Sequence, residues 1–380
     1  MKGFFITAWD MSKSGPFVGS ARKSEAQVKA LTELGIEMEI YNNKKKLRKN
    51  FMTKITTRLP FTSVSDSLIY DKKLNGADLY YIRFNWSDWP FSKFVQKLRK
   101  NNPKAKIILE LPDIDYIHHL SDTLKNFPYI IKDKLCWMKI SKCIDRIAIM
   151  SKEKFLHEVP CIKILNGIDL SIVDIRKISI KNHEIHCGAV ASLQKVHGYD
   201  RFINGLGDYY QNGGNREVKL HIIGDGEILE ELKDLCKKRK MENNVFFHGY
   251  LFGEKLDEMY DKLDIGICEL APGRRAFELS SSLKSREYLA KGLPVATASK
   301  IDVFEENKFD YVLDYSDGEG SIDIQKIIEF YDAIYFSLEN SMRVRDEIRN
   351  YAEKYLSIHT VMRPVVNYVL GNNFENRRFE

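Results

Sequence analysis

Apolar positions along the chain switch between two periods. Short runs rich in aromatic and β-branched residues, at 4–8, 36–41, 78–84 (DLYYIRF) and 106–111 (KIILEL), predict strands. Between them lie stretches with apolar residues three and four apart. Ala26, Val28, Leu31 and Leu34 mark one helix face closed by Gly35, and residues 91–99 and 135–141 carry similar patterns. A strand over 146–150 follows, Ser151 opens another helical stretch, and a strand over 162–165 ends at the tight turn Asn166-Gly167.

After residues 170–184, which mix charged and apolar residues without a period, the same rhythm restarts. Strands are predicted at 186–192, 218–223, 245–250 and 265–268, with helices at 201–210, 228–240 and 255–262 between them and a loop over 193–200. The helix over 283–291 is followed by a strand from Val295, a further strand near 311–314, and helices over 322–338, 341–354 and 361–370. Strand and helix alternating throughout predict α/β architecture, two doubly wound parallel sheets facing a cleft. The expected domains are 1–172 and 173–355, with residues 356–380 a C-terminal helix and tail packing back on the first domain.

A chain of 380 residues can bury two cores, and 44% apolar with 29% charged residues is the balance of a water-soluble protein with no bilayer-length apolar run. The opening MKGFFITAWD reads as a first strand, not a signal peptide. Six scattered cysteines without a CxxC pair read as reduced thiols of a cytoplasmic protein, with no zinc site. The net charge of +6 does not by itself imply nucleic acid, and no binding motif for it accompanies the basic residues. The distribution of charge says more. Lys44, Lys45, Lys46, Arg48, Lys49, Lys54 and Arg58 occur without one acidic residue and interleave with Leu47, Phe51, Met52, Ile55 and Leu59. Such a segment suits either a solvated face or an element docked on anionic lipid at the inner face of the cell membrane.

The densest candidate chemistry lies between Glu269 and Ala298. A loop with Arg274 and Arg275 leads to serines 280–282, which stand where a helix N-cap is expected, and Lys284, Arg286 and Glu287 follow before Gly292 ends the helix. Free backbone N–H groups, the helix dipole and nearby cations suit a phosphate, while Glu287 suits sugar hydroxyls. In the first half, Gly15 and Gly19 follow the first strand, and Asp113, Asp115, His118 and His119 follow the strand at 106–111, both at the sheet edge where α/β proteins bind ligands. Adjacent histidines cannot share a helix face and no third ligand is evident, so no metal is expected.

Four segments carry a family likeness: GAVASLQKVHGYDRFINGL, LHIIGDGEILEELKDL, FFHGYL and SSLKSREYLAKGLPVATA. They resemble the donor-binding domain of the retaining, GT-B glycosyltransferases of family four, especially those of bacterial surface-polysaccharide biosynthesis. KSGPFVGSARKSEAQVKALTELG, ILELPDIDY and ILNGIDL in the first half are similar to that family's first glycine loop, fourth strand and pre-linker segments. The resemblance implies transfer of a hexosyl group from a nucleotide diphosphate sugar, UDP- or GDP-linked, to a glycan or lipid-linked acceptor, with no metal and no cofactor beyond the donor. It places Gly15, Lys195, His197, Gly224, Asp225, Gly226, Tyr250, Arg274, Ser281, Ser282, Leu283, Lys284 and Glu287 around the donor, with Lys284 and Lys195 on the diphosphate and Glu287 on the ribose. Asp113 or Asp115 orients the acceptor hydroxyl.

The chain departs from the family pattern in two places. The first acid of its E-x7-E motif falls at Leu279, so Glu278 is the candidate for the donor sugar. Where the family has an arginine after the first strand and a lysine before the glycine, this chain has His197 before Gly198, leaving Lys195, His197 and Arg201 as alternatives on the diphosphate. A non-catalytic accessory subunit and a sugar-nucleotide 2-epimerase share the same two-domain architecture and stay open. A dinucleotide oxidoreductase does not fit, because neither half has GxGxxG after its first strand.

Overall fold

A computed structural model describes residues 1–11, 18–47, 56–59, 61–111, 126–178, 184–275 and 279–371. The chain forms two compact units, residues 1–165 with 358–380, and residues 166–357. The expected boundaries stood at 172/173 and 355/356, whereas the chain leaves unit 1 directly after Leu165 and returns to it at Ile358.

Unit 1 begins with β1 (Lys2–Thr7), α1 (Val18–Glu33) and β2 (Glu37–Tyr41), followed by a two-residue pair, β3 (Lys44–Lys45) and β4 (Ser67–Leu68). Then come β5 (Leu79–Arg83), α2 (Trp89–Asn101), β6 (Lys106–Glu110), α3 (Phe127–Ile140), β7 (Arg146–Ile149), β8 (Phe155–Leu156) and β9 (Val159–Lys163). The seven-stranded sheet runs β2-β1-β5-β6-β7-β9-β8 and is parallel except at β8. Its inner strands are buried on both faces, which is why their sequences are almost continuously apolar. Phe4, Tyr80, Ile107 and Leu109 pack with Phe94 and Trp137 on one face, and Phe5, Tyr81, Ile108 and Ala148 with Leu31 on the other.

One expectation fails here. No helix follows Ser151; the chain makes a hairpin of β8 and β9, turning through His157 and Glu158, both with positive φ (49° and 66°). Left-handed values at both turn residues match the twist of a two-residue hairpin, and antiparallel pairing to the sheet edge overrode the local helical pattern. The small β3–β4 hairpin was not foreseen, and it withdraws Lys44 from the basic segment: its ammonium donates to Trp9 O (3.1 Å) and lies 3.5 Å from Asp66. Arg48, Lys49 and Lys54 lie outside the described residues.

Unit 2 comprises β10 (Glu184–Val190), α4 (Tyr199–Gln211), β11 (Glu217–Ile223), α5 (Leu229–Arg239), β12 (Val245–Gly249), α6 (Glu254–Lys262) and β13 (Ile265–Ile267). They are followed by α7 (Leu283–Lys291), β14 (Val295–Thr297), α8 (Asp302–Glu306), β15 (Val312–Asp314), α9 (Ile324–Ile334) and α10 (Leu338–Leu356). All six strands are parallel in the order β12-β11-β10-β13-β14-β15. This is the 3-2-1-4-5-6 arrangement of a Rossmann-like sheet. Ile185, Leu220, Ile222 and Ile265 meet Phe202, Leu206 and Leu232 of α4 and α5 in its core. The last helix, α11 (Ile358–Leu370), belongs to unit 1, where Val361, Met362 and Val365 join the core beneath α1. Four of the six cysteines are buried.

Candidate functional site

The strand order of unit 2 reverses between β10 and β13: β11 and β12 extend the sheet to one side, β14 and β15 to the other. Connections leaving in opposite directions open a crevice at the carboxyl ends of such strands, the usual ligand position of open α/β sheets. Tyr288 of α7 fits between these strands because Gly266 leaves room for its ring; a Cβ there would come within 2.5 Å of it. Its hydroxyl accepts from Val190 N (2.8 Å) and donates to Gly188 O (3.1 Å). The last amide of β10 is thereby satisfied where the two strands part.

Glu269, two residues past β13, is buried at this point. Ser280 Oγ donates to its Oε2 at 3.1 Å, and Lys284 Nζ stands 3.1 Å from its Oε1. Burial pushes the carboxyl up, but the Lys284 ammonium more than offsets this and holds it below the usual range, so the pair is ionic. Lys284 is itself buried, and its Nζ has Glu269 beside it as an ion pair and makes no further hydrogen bond. An ammonium has three donors, and leaving donors beyond the Glu269 pair unmet in a buried place costs on the order of a few kcal/mol. Acceptor oxygens brought by a ligand would recover it.

Lys284 stands in the first turn of α7. Ser282 occupies the N-cap with extended backbone (φ −73°, ψ 141°), yet its side chain makes no capping bond; instead its Oγ faces Ser285 Oγ at 3.4 Å, and Ser285 Oγ donates to Ser282 O at 2.8 Å. The expected serine cap is thus correct in position only, and the first-turn N–H groups lack a side-chain acceptor. Arg286 is not on a solvated basic face. It is fully buried, paired with Asp302 and donating to Asn166 O (3.1 Å) and Ser281 Oγ (3.3 Å), so it fixes the loop before α7. Half-buried Glu287, on the next turn, accepts from Tyr260 Oη at 2.9 Å. Gly292 closes the helix at φ 76°, as its sequence position predicted.

Of the three alternatives around Gly198, two are already committed. Arg201 is buried and gives its guanidinium to the carbonyls of Leu270, Gly320 (2.6 Å) and Ser316 (3.1 Å). His197 is buried, and burial with the Lys284 charge beside it pushes its imidazole down to about 3; its Nδ1 accepts from Gln194 N (3.1 Å). A neutral ring offers no cation at neutral pH. Lys195 is exposed on the same short turn. Arg274 is likewise committed: it grips Asp200 with two bonds (2.7 and 2.8 Å) and Glu319 through Nε (3.0 Å), and these carboxylates raise its already high pKa. Gly198 itself is left-handed (φ 64°), and a Cβ there would meet Ala271 N at 2.8 Å.

Gly224 and Gly226 bring two loops together. A Cβ on Gly224 would come within 1.9 Å of Ala191 O, and one on Gly226 within 2.3 Å of Leu193 O. Leu193 N donates to Asp225 O (2.8 Å), and exposed Asp225 accepts from Gly226 N (2.7 Å). Tyr250 and Phe252, both exposed, stack at 6.0 Å just past β12. Leu283 begins α7 and Ser281 accepts from Arg286. Gly15, Asp113, Asp115 and Glu278 lie outside the described residues, while Leu279 is half-buried. Sequence reasoning missed the role of Glu269 and Ser280. The available signal was a lone acid ending the apolar run Ile265–Cys268.

Unit 1 holds a second buried cluster at the ends of its strands. Glu110, the last residue of β6, accepts from Lys23 Nζ (2.8 Å), Gln27 Nε2 (2.7 Å) and Tyr81 Oη (2.7 Å). Burial pushes its carboxyl up, but Lys23 and Arg83 pull it down to about 2. Arg83 Nη1 donates to Ser20 O (2.8 Å) and Ser24 Oγ (2.7 Å), while its Nε has no partner.

Residues 184–323 match the family model described as glycosyl transferases group 1. The fold as a whole is similar to solved structures at low identity. HepE from Anabaena, solved with UDP, is 12% identical, with 98% of this chain and 100% of that one covered at a TM-score of 0.59. A glycosyltransferase from Rickettsia africae is 12% identical over 98% and 99% at 0.60, and sucrose-phosphate synthase from Thermosynechococcus elongatus 12% over 98% and 100% at 0.61. No curated protein matches the chain in sequence. The chain has the two-domain GT-B glycosyltransferase fold, each domain Rossmann-like. The matched residues 184–323 lie in unit 2 and include the four motifs that carry the resemblance.

Proposed function

We propose that the protein transfers a hexosyl group from a nucleotide diphosphate sugar to a glycan or lipid-linked glycan acceptor, with retention at the anomeric carbon and without a metal ion. The observation that carries this reading is the buried ammonium of Lys284, paired with Glu269 alone and with donors left open, in the uncapped first turn of α7 at the switch point of a group 1 domain. As the bond from the anomeric carbon to the diphosphate breaks, negative charge grows on the leaving phosphate. A fixed ammonium and helix N–H groups in a water-poor place stabilise that charge strongly. Exposed Lys195 is the second cation, Glu287 the ribose acceptor and Tyr250 the face for the base; backbone around Gly224–Gly226 lines the same end of the sheet. Unit 2 is thus the donor domain and unit 1 the acceptor domain, with Asp113 or Asp115 on the acceptor hydroxyl, Glu278 on the donor sugar and Gly15 in the first glycine loop.

UDP is favoured over GDP as the donor nucleotide, because solved structures of this fold include HepE with UDP-glucose and a trehalose-6-phosphate protein from E. coli with UDP-2-fluoro glucose. Arg274 is assigned to holding Asp200 and Glu319, not to the diphosphate. Thermal unfolding with UDP, GDP, ADP and CMP tests the reading: binding to the native state raises the midpoint, with about 2.7 kcal/mol of stabilisation at a hundredfold excess over Kd. UDP is expected to raise it, and slow release of UDP from a UDP-sugar should accompany binding. If no nucleotide moves the midpoint, the reading is lost. A UDP shift with no sugar release or transfer would favour the accessory subunit, the reading supported by Leu279 at the position of the family acid.

A further inference from the structure

Helix α3 of unit 1 is apolar on its outer face as well as its inner one. Its sequence FPYIIKDKLCWMKI buries Lys132 and Asp133 while leaving Phe127, Ile131, Leu135 and Met138 exposed at 59%, 42%, 46% and 60%. These four positions follow i, i+4, i+8 and i+11, so at about 100° per residue they fall within an arc of roughly 80°, one continuous stripe along a helix about 21 Å long. The opposite face anchors the helix: Cys136, Trp137 and Ile140 join the core, and Lys132 Nζ donates to Thr57 O (2.5 Å) and Thr62 Oγ1 (3.0 Å). Thr57 Oγ1 and Tyr129 Oη meet at 3.0 Å. These bonds tie the segment around Leu59 and Phe61 to α3, and those two side chains are also exposed, at 52% and 67%.

A large apolar side chain gains about 1.5–3 kcal/mol when withdrawn from water, so a helix that buries a lysine and exposes four such residues forgoes a sizeable stabilisation. Contiguous apolar surface rimmed by charge marks an interaction site. Here the rim is basic. Lys134 and Lys142 are exposed and Lys139 is half-buried, and the one acid in residues 127–142, Asp133, is buried. Phe61 packs edge-on against Trp89 (4.9 Å), with Lys139 Nζ 3.6 Å and Lys93 Nζ 5.5 Å from that ring, and exposed Arg58 adjoins Leu59.

We infer that this face docks in the plane of an anionic lipid bilayer, the α3 stripe with Leu59 and Phe61 entering the acyl boundary and the lysines engaging lipid phosphates. A basic rim around an apolar stripe on a helix too short to span a membrane complements such a surface. This moves the lipid-facing element from the basic run between Lys44 and Arg58 to α3 and the segment bonded to it.

Co-sedimentation of the full chain with vesicles tests the inference. The protein should pellet with vesicles of one-third phosphatidylglycerol in phosphatidylcholine and less with phosphatidylcholine alone, with binding weakened by salt. The triple variant Ile131→Gln, Leu135→Gln, Met138→Gln changes exposed positions, so its melting temperature should hold while its affinity for anionic vesicles falls at least about tenfold. Lys134→Glu with Lys142→Glu should remove most of the preference for anionic lipid. Failure of the unmodified protein to pellet, or equal pelleting of the triple variant, overturns the inference. So does a lipid-free dimer that the triple variant converts to a monomer, because the stripe would then join two copies. Nucleotide-induced thermal shifts report on unit 2, so donor binding and lipid docking fail independently.

Discussion

Each unit places a buried lysine–glutamate pair at the carboxyl ends of its parallel strands, and the two pairs differ in how completely they are satisfied. Around Glu110 both carboxylate oxygens accept hydrogen bonds at 2.7–2.8 Å, from Lys23, Gln27 and Tyr81. Around Glu269 there are Ser280, donating at 3.1 Å, and the Lys284 ammonium 3.1 Å away, which makes no hydrogen bond beyond that pair. A buried pair with its bonds made is a structural clamp. A buried pair with open donors holds free energy that a ligand can release.

Lys284→Met should separate these roles most sharply. If the ammonium meets the leaving diphosphate, transfer should fall about 10²–10³-fold, the scale of losing one preorganised charge-stabilising group. Glu269 would also be left buried and unpaired, so the melting temperature should drop. The double variant with Glu269→Gln should recover stability without recovering transfer. Restored transfer in the double variant would mean that Lys284 only neutralises Glu269.

Glu110→Gln comes next, with its effect on stability alone. A carboxyl held at about 2, against 4.5 for the free group, contributes about 3 kcal/mol. That contribution is complete above about pH 4.5 and is lost as pH falls toward the folded value. The variant should therefore be about 3 kcal/mol less stable at neutral pH by urea unfolding, and its acid slope below pH 4.5 should flatten. UDP binding should survive in the folded fraction; loss of binding at full stability would contradict the division between clamp and ligand site.

The smallest effect is expected from His197→Asn. The folded imidazole resists protonation down to about 3, whereas the unfolded one takes a proton near 6.5. Acidification through that window therefore favours the unfolded state, costing about 2 kcal/mol between pH 6.5 and about pH 5. The variant should lose this slope in thermal melts at the two pH values. An unchanged slope would show that another group supplies it.

Much of this was legible along the chain. Strand and helix alternation specified two parallel sheets, and the elements fall close to their expected positions because apolar period and caps are local signals. The failures are also physical. Ser151 begins a stretch with helical spacing, but pairing of β8 to an open sheet edge decided it otherwise. In the site, Lys284, Glu287 and Gly292 stood out by type and position. Arg201 and Arg274 stood out as well, yet both are committed, one to carbonyls and one to Asp200 and Glu319. An arginine advertises a charge, and only its neighbours determine whether that charge is already spent.

The sequence by itself determined the order of elements, the position of α7 after the fourth strand of unit 2 and the residue types around its N-terminus. Period, capping and glycine positions act over a few residues and need no distant partner. Only the tertiary structure decided that Glu269 meets Lys284 across 15 residues, that Arg286 is buried while the α3 stripe is exposed, and that His197 is neutral. Each of these depends on desolvation and on a partner brought by the fold, neither of which is written in local pattern.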